Sequence, residues 1–213
     1  MLFLLSINHG ICQEVKKDNR ISSAIEDPFN FYEEESISKT DLLKGLELLG
    51  IRIHKFDVPG SSEKNMITLL AREVKNGKEI NVDTIACFSN EYRYWDIGVP
   101  DPYVDFIKEV TIFSNTEYNK SELQLELTSS IRKHKLELDN NSDEQFYVWR
   151  KYQKTHLKKG KEIPLLIFAS SWIYPGEDSH RFCGVVELSE DDPMTQELLN
   201  NSPHFIRISL RVE

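Results

Sequence analysis

Asp178, Ser179 and His180 set three residue types familiar from hydrolytic catalysis side by side, and Cys183 follows His180 by three positions. Acyl transfer needs an exposed nucleophile within hydrogen-bond reach of a base that a third group orients, an arrangement assembled in space. Consecutive residues of an extended chain point to alternate sides, so adjacency along the sequence does not build such a group. The sequence also lacks a G-x-S-x-G elbow. A reactive Cys183 would need an electropositive, partly exposed thiol, whereas Phe182 and Val185 flank it. No catalytic residue is therefore assigned. An enzyme with an unrecognised site near His180, with Glu177 or Asp178 as polar neighbours, stands as one alternative to a binding function.

Coordination chemistry has one candidate. Asp139-Asn140-Asn141-Ser142-Asp143-Glu144 offers oxygen ligands at positions one, three and five of an EF-hand-like loop. The pattern then fails, because Glu144 stands where the sharp turn needs glycine and Arg150 where a bidentate glutamate should close the shell. A polar turn between strands explains the same residues, and no metal is expected. The nine glycines are scattered and form no phosphate-cradling loop, so no cofactor is expected either.

Recognition chemistry is better represented. Aromatic residues and arginine fall together in Tyr92-Arg93-Tyr94-Trp95, in Tyr147 and Trp149 beside Arg150, and in Trp172-Ile173-Tyr174 ahead of Pro175-Gly176. Rigid aromatic faces offer large contact area at low entropy cost and, with arginine, anchor interfaces. Alternate aromatics on a strand are more often core, and that reading applies to most of these residues. Trp172 and Tyr174 differ, because they follow the apolar run Leu165 to Ala169 just before a turn. They are expected to be exposed, forming a partner-binding surface with Arg181 or Trp149 nearby.

The chain that must position these residues has 213 of them, 39% apolar, with 26 Lys and Arg against 35 Asp and Glu and a net charge of -9. That length buries a real core, and the negative field repels phosphate backbones, which argues against nucleic acid as a partner. The basic stretches Arg132 to Lys135 and Arg150 to Lys161 are flanked by acidic residues and read as solvated faces. Residues 1–12 carry no charge and run from Leu2-Phe3-Leu4-Leu5 to Gly10-Ile11-Cys12, the outline of an export leader without a basic start. A polar arm covers 13–37, and a single domain 38–213. No later apolar run approaches the roughly 18 residues of a membrane span. The expected setting is the periplasm, the cell surface or the medium. Cys87 and Cys183 read as buried thiols, with one disulfide as the alternative.

Ser38, followed three residues later by Asp41, opens an amphipathic helix through Leu42, Leu43, Leu46 and Leu49 to Gly50, its apolar face packed on a sheet or its edge. Asn76-Gly77 between two runs of strand formers predicts a tight hairpin. Alternation at Leu123, Leu125 and Leu127, and at Ile206, Ile208, Leu210 and Val212, predicts half-buried strands, with Arg207, Ser209 and Arg211 facing water. Further strands are expected at Ile51 to Val58, Val110 to Phe113, Lys135 to Leu138, Phe146 to Tyr152, Leu165 to Ser170 and Phe182 to Leu188, and a second short helix after Pro193. The fold class is mainly β, an antiparallel sandwich-like domain with one or two short helices, or α+β at the margin.

Phe56-Asp57-Val58-Pro59, Phe146-Tyr147-Val148-Trp149-Arg150, Ile163 to Trp172, and His180-Arg181-Phe182-Cys183-Gly184-Val185 resemble the pattern of a family of small exported Bacteroidetes proteins of unknown function. The resemblance covers the chain from about Gly50 to the end. It implies export and a bacterial envelope setting and assigns no activity or catalytic residue. The function that these readings favour is an exported module binding a protein or glycan partner in the cell envelope, with a purely structural envelope domain as a further alternative.

Overall fold

The computed structural model describes residues 38–58, 62–127, 130–153, 159–182, 184 and 186–213. The leader read at 1–12, the arm at 13–37 and Cys183 lie outside them. The chain divides into two units, Met1–Leu42 and Leu43–Glu213, the division falling inside the first helix. All the sheets belong to the second.

Helix α1 (Lys39–Leu48) begins as its spacing predicts. The Ser38 backbone N–H and hydroxyl donate to Asp41 Oδ2 at 3.0 and 2.7 Å, and Asp41 N–H donates to Ser38 Oγ at 3.2 Å. Gly50 ends the helix at φ 76°, and a Cβ at that position would lie 2.2 Å from the Thr116 carbonyl oxygen. The expectation of a packed apolar face is corrected. No residue of α1 is buried, and Leu42, Leu43, Leu48 and Leu49 are exposed among the described residues. The sheets fill their shared core with their own side chains, and no leucine of α1 enters it.

The strands in chain order are β1 (Ile51–Asp57), β2 (Met66–Lys75), β3 (Lys78–Ser89), β4 (Glu91–Tyr94), β5 (Tyr103–Phe106), β6 (Glu109–Glu117), β7 (Lys120–Leu127), β8 (Ser130–Glu137), β9 (Tyr147–Tyr152), β10 (Glu162–Ser170), β11 (Glu187–Leu188) and β12 (His204–Val212), with α2 (Pro193–Asn201) before the last. They form a four-stranded sheet in the order β1-β6-β7-β8, a six-stranded sheet in the order β11-β9-β10-β12-β2-β3, and the separate pair β4-β5. Every pairing is antiparallel except β11 with β9. The fold is mostly β, as its alternating sequence requires. Among the described residues of the strand expected at Phe182 to Leu188, only Glu187 and Leu188 pair.

One core lies between the two large sheets. Val110, Ile112, Leu123 and Leu125 of the smaller sheet meet Ile67, Leu69, Leu166, Phe168, Ile206 and Ile208 of the larger. The outer face of the larger sheet carries a second cluster, in which Leu198 of α2 packs with Ile167, Ala169, Leu188 and Phe205. The wet face expected for β12 is also corrected. Ser209 is buried, and Arg207 and Arg211 are half-buried, because β12 is an inner strand between β10 and β2. Asn76 and Gly77 take φ of 49° and 72° between β2 and β3, so both central turn residues are left-handed, as a two-residue hairpin of this hand demands.

The two sheets are stitched by specific polar contacts. His204, buried at the start of β12, accepts at Nδ1 from Asp139 N–H (2.8 Å) and donates from Nε2 to Glu73 Oε1 (3.0 Å). Asp139 also pairs with Lys75, so the first residue of the EF-hand-like stretch is spent on structural contacts. Among the described residues no group of three metal-ligating side chains occurs.

Candidate functional site

The residues expected to bind a partner fall in different environments. Trp149, on β9, is 3% exposed, stacked on Phe168 with ring centres 5.0 Å apart, and donates from Nε1 to Thr116 Oγ1 at 3.0 Å across the core. Trp172 is 5% exposed and belongs to the cluster beneath α2. The exposure expected of Trp172 is therefore corrected. The apolar run of β10 continues into the second core, which α2 roofs, and Trp172 extends that core rather than leaving it.

Tyr174 and Arg181 do assemble around Trp172. Trp172 and Arg181 exchange backbone hydrogen bonds at 3.0 and 2.7 Å, which closes the intervening turn. The half-buried Tyr174 meets Trp172 edge-on at 6.4 Å and donates its hydroxyl to Glu197 of α2, a bond that pushes the phenol's pKa up. Arg181 is exposed, lies 5.6 Å over the Tyr174 ring and pairs with Glu177. Its charge and its flat face are both used within the chain.

His180 sits beside this turn, with both ring nitrogens met by serines. Ser142 Oγ lies 3.0 Å from Nε2 and Ser171 Oγ 3.0 Å from Nδ1. Ser171 Oγ also accepts from Phe146 N–H at 3.0 Å. These bonds line an open cleft of about 310 Å³ with Asn141, Gln145 and Trp172. They tie the loop after β8 to the turn between Trp172 and Arg181.

Exposed aromatics occur instead on the pair β4-β5. Residues on one face of a strand recur at every second position, and the antiparallel register sets Tyr94 opposite Tyr103 and Tyr92 opposite Asp105. Tyr94 and Tyr103 are stacked with centres 5.3 Å apart and planes 21° apart, and Tyr92 lies 6.2 Å from Tyr94. Tyr94 is 48% exposed, Tyr103 45% and Trp95, the next residue, 68%. The Tyr92 hydroxyl donates to Asp105 Oδ2 at 3.1 Å. Asp105 is held below its ordinary pKa by the Phe106 N–H first and by that hydroxyl second.

The base of the hairpin is fixed while its tip is left to solvent. Asn90, fully buried before β4, accepts at Oδ1 from Asn65 N–H (2.7 Å), donates from Nδ2 to the Glu63 carbonyl (2.8 Å), and accepts at its own carbonyl from Ile107 N–H (2.7 Å). The strands were hard to find in the sequence because Tyr92-Arg93-Tyr94-Trp95 lacks an apolar alternation. The available signal was the repeat of tyrosine at two-residue spacing with a third tyrosine after the Gly98-Val99-Pro100 turn.

No curated protein and no solved structure matches the chain. A family model covers residues 22–213, which includes every described element, and the chain belongs to the family described as Domain of unknown function (DUF5041).

Proposed function

We propose that this domain is a non-catalytic binding module of the cell envelope whose contact surface is the β4-β5 hairpin, and that its ligand is a glycan. The observation that carries this reading is the ladder Tyr92, Tyr94 and Tyr103, in which Tyr94 and Tyr103 are exposed and Tyr92 half-buried, followed in the chain by the exposed Trp95. Aromatic rings on a soluble surface lose favourable burial unless something covers them, and several in register make a recognition face rather than scattered exposure. A pyranose presents a flat C–H face that such rings cover and hydroxyls that carboxylates accept. Asp105 stands ionised beside the ladder, and Asp96 and Asp101 lie in the chain between the two strands. A protein partner is the other ligand class for an aromatic patch, and the Asp105 carboxylate beside the rings favours the sugar. Export is part of the same proposal and is supported by the charge-free opening segment 1–12.

The second reading is a hydrolase at His180, favoured by Ser142 Oγ at 3.0 Å from its Nε2. It ranks below binding because the other nitrogen faces a serine, where an imidazolium formed in catalysis calls for a carboxylate.

The test is binding of the purified domain to an array of bacterial and host glycans, alongside a variant carrying Tyr94→Ala, Trp95→Ala and Tyr103→Ala. Wild type should bind a defined set of glycans, and the variant should lose them while melting within a few degrees of wild type. Wild type that binds no glycan, or a variant that retains binding, refutes the reading.

A further inference from the structure

A second site follows from the open edge of the sandwich. Among the described residues β1 ends the smaller sheet and pairs with β6 alone. Across from it runs β9, whose outer side pairs, among the described residues, through Lys151 and Tyr152. Between them lies a cleft of about 410 Å³, a volume in the range of small-molecule sites, with Leu43, Leu46, Ile51, Ile53, Trp149 and Val186 supplying its apolar lining.

Its charged lining runs against the rest of the molecule. In a chain of net charge -9, this cleft is lined by Arg52, Arg150 and Lys151 and by one carboxylate, Glu47. Arg52 donates from Nη1 to the Trp149 carbonyl at 3.0 Å, and Lys151 from Nζ to the Lys55 carbonyl at 3.4 Å, so both cations are held across the gap between the strands. Glu47 stands 3.7 Å from Arg52 Nε and is more than half exposed. Within this frame sits His54, whose Nε2 is buried and has no hydrogen-bond partner among the described residues.

A buried polar nitrogen without a partner is costly, and native structures rarely leave one without a reason. From these groups we infer that the cleft between β1 and β9 binds an amphiphilic organic anion, its carboxylate, sulfate or phosphate head placed among Arg52, His54 and Lys151 and its apolar body along Leu43, Leu46 and Ile53. The head accepts from both cations, which uses the local positive field, and from His54 Nε2–H once the ring turns out of its buried position into the cleft, which satisfies the orphan nitrogen. Burial of the ring and the charges of Arg52 and Lys151 hold His54 down at about 4 in the free protein. A bound anion offsets that repulsion, with Arg150 and Glu47 the other charged groups facing the cleft, so His54 in the complex titrates at higher pH than in the free protein.

The site is independent of the hairpin and is tested with different probes. The full chain is titrated with octanoate, octyl sulfate and octyl phosphate at millimolar concentration, and with neutral octyl glucoside below its micellar concentration, while the His54 ring signals are followed by NMR. His54→Asn supplies the assignment. At least one anionic probe should bind saturably and shift the His54 ring, and the one that binds tightest identifies the head group. Octyl glucoside should leave the ring signals in place. The double variant Arg52→Gln, Lys151→Gln should weaken the anion by about tenfold or more, as loss of charge-assisted bonds requires. No saturable shift with any anionic probe overturns the proposal. Equal binding of octyl glucoside, or unchanged anion affinity in the double variant, overturns it as well.

Discussion

At the scale of single residues, the three tryptophans of this chain show how one side-chain type is put to different uses. Trp149 spans the core, with its ring against Phe168 and its N–H on Thr116, and Trp172 seals the second cluster beneath α2. Trp95 faces solvent just after β4. The expected outcome is a clear split in stability. Trp149→Ala and Trp172→Ala should each cost about 3 to 5 kcal/mol in denaturant unfolding, and Trp95→Ala should stay within about 0.5 kcal/mol of wild type. Equal costs at all three would return Trp95 to the core and remove the basis of the aromatic surface. The free thiol of Cys87 belongs to this scale too. It is exposed and within 3.6 Å of Thr68 Oγ1, which corrects the reading of a buried thiol. Its strand lies at the sheet edge, and the apolar neighbours Ala86 and Phe88 point to the opposite face.

At the scale of elements, local rules were readable and tertiary choices were not. Asn76-Gly77 announces its hairpin because two successive left-handed residues are a backbone demand that few pairs meet. Gly77→Val should therefore destabilise by about 1 kcal/mol or more in urea unfolding, since a β-branched residue resists φ of 72° even though no atom would meet the new Cβ. A neutral result would show that the turn rearranges freely. The capping box at Ser38 and the alternation of β7 and β12 were legible for the same local reason. What the sequence could not show was which faces would be covered from afar. Trp172 reads as exposed because the roof over it, α2, comes from a separate segment, and Ser209 reads as exposed because the two strands that enclose β12 are distant in the chain. The hairpin β4-β5 read as irregular because its aromatics face solvent, the reverse of the pattern by which half-buried strands are recognised. Edge protection is equally tertiary. β3 ends the larger sheet over twelve residues, and register shifts opposite Leu69/Leu70 and Glu73/Val74 break its regular pairing with β2, a device that makes a long edge a poor template for a further strand.

At the scale of the whole molecule, the seam where the two sheets stand open couples stability to acidity. His54 lies in that seam with a pKa lowered from 6.5 to about 4, chiefly by burial and then by Arg52 and Lys151. The unfolded chain binds a proton at His54 below pH 6.5, whereas the folded chain resists it until about pH 4. Between those values the unfolded state holds more protons, so stability is fully present above pH 6.5 and falls as the pH drops toward 4. The shift sets a ceiling of roughly 3 kcal/mol on the loss, reduced in practice because part of the ring meets water. The carboxylates act in a lower window. Glu162, drawn down by the Arg72 guanidinium, and Asp139, drawn down by Lys75, have their pKa values lowered from 4.5 and 3.8, so their contributions are lost only as the pH falls below those values. The range from pH 6.5 to 4.5 lies within the His54 window and above the values from which Glu162 and Asp139 are lowered. Urea unfolding of wild type across that range should show falling stability, and His54→Leu, which has no proton to gain, should hold nearly constant. Parallel decline in both proteins would place the acid sensitivity in other groups and show that the open seam does not bear on the stability of the sandwich.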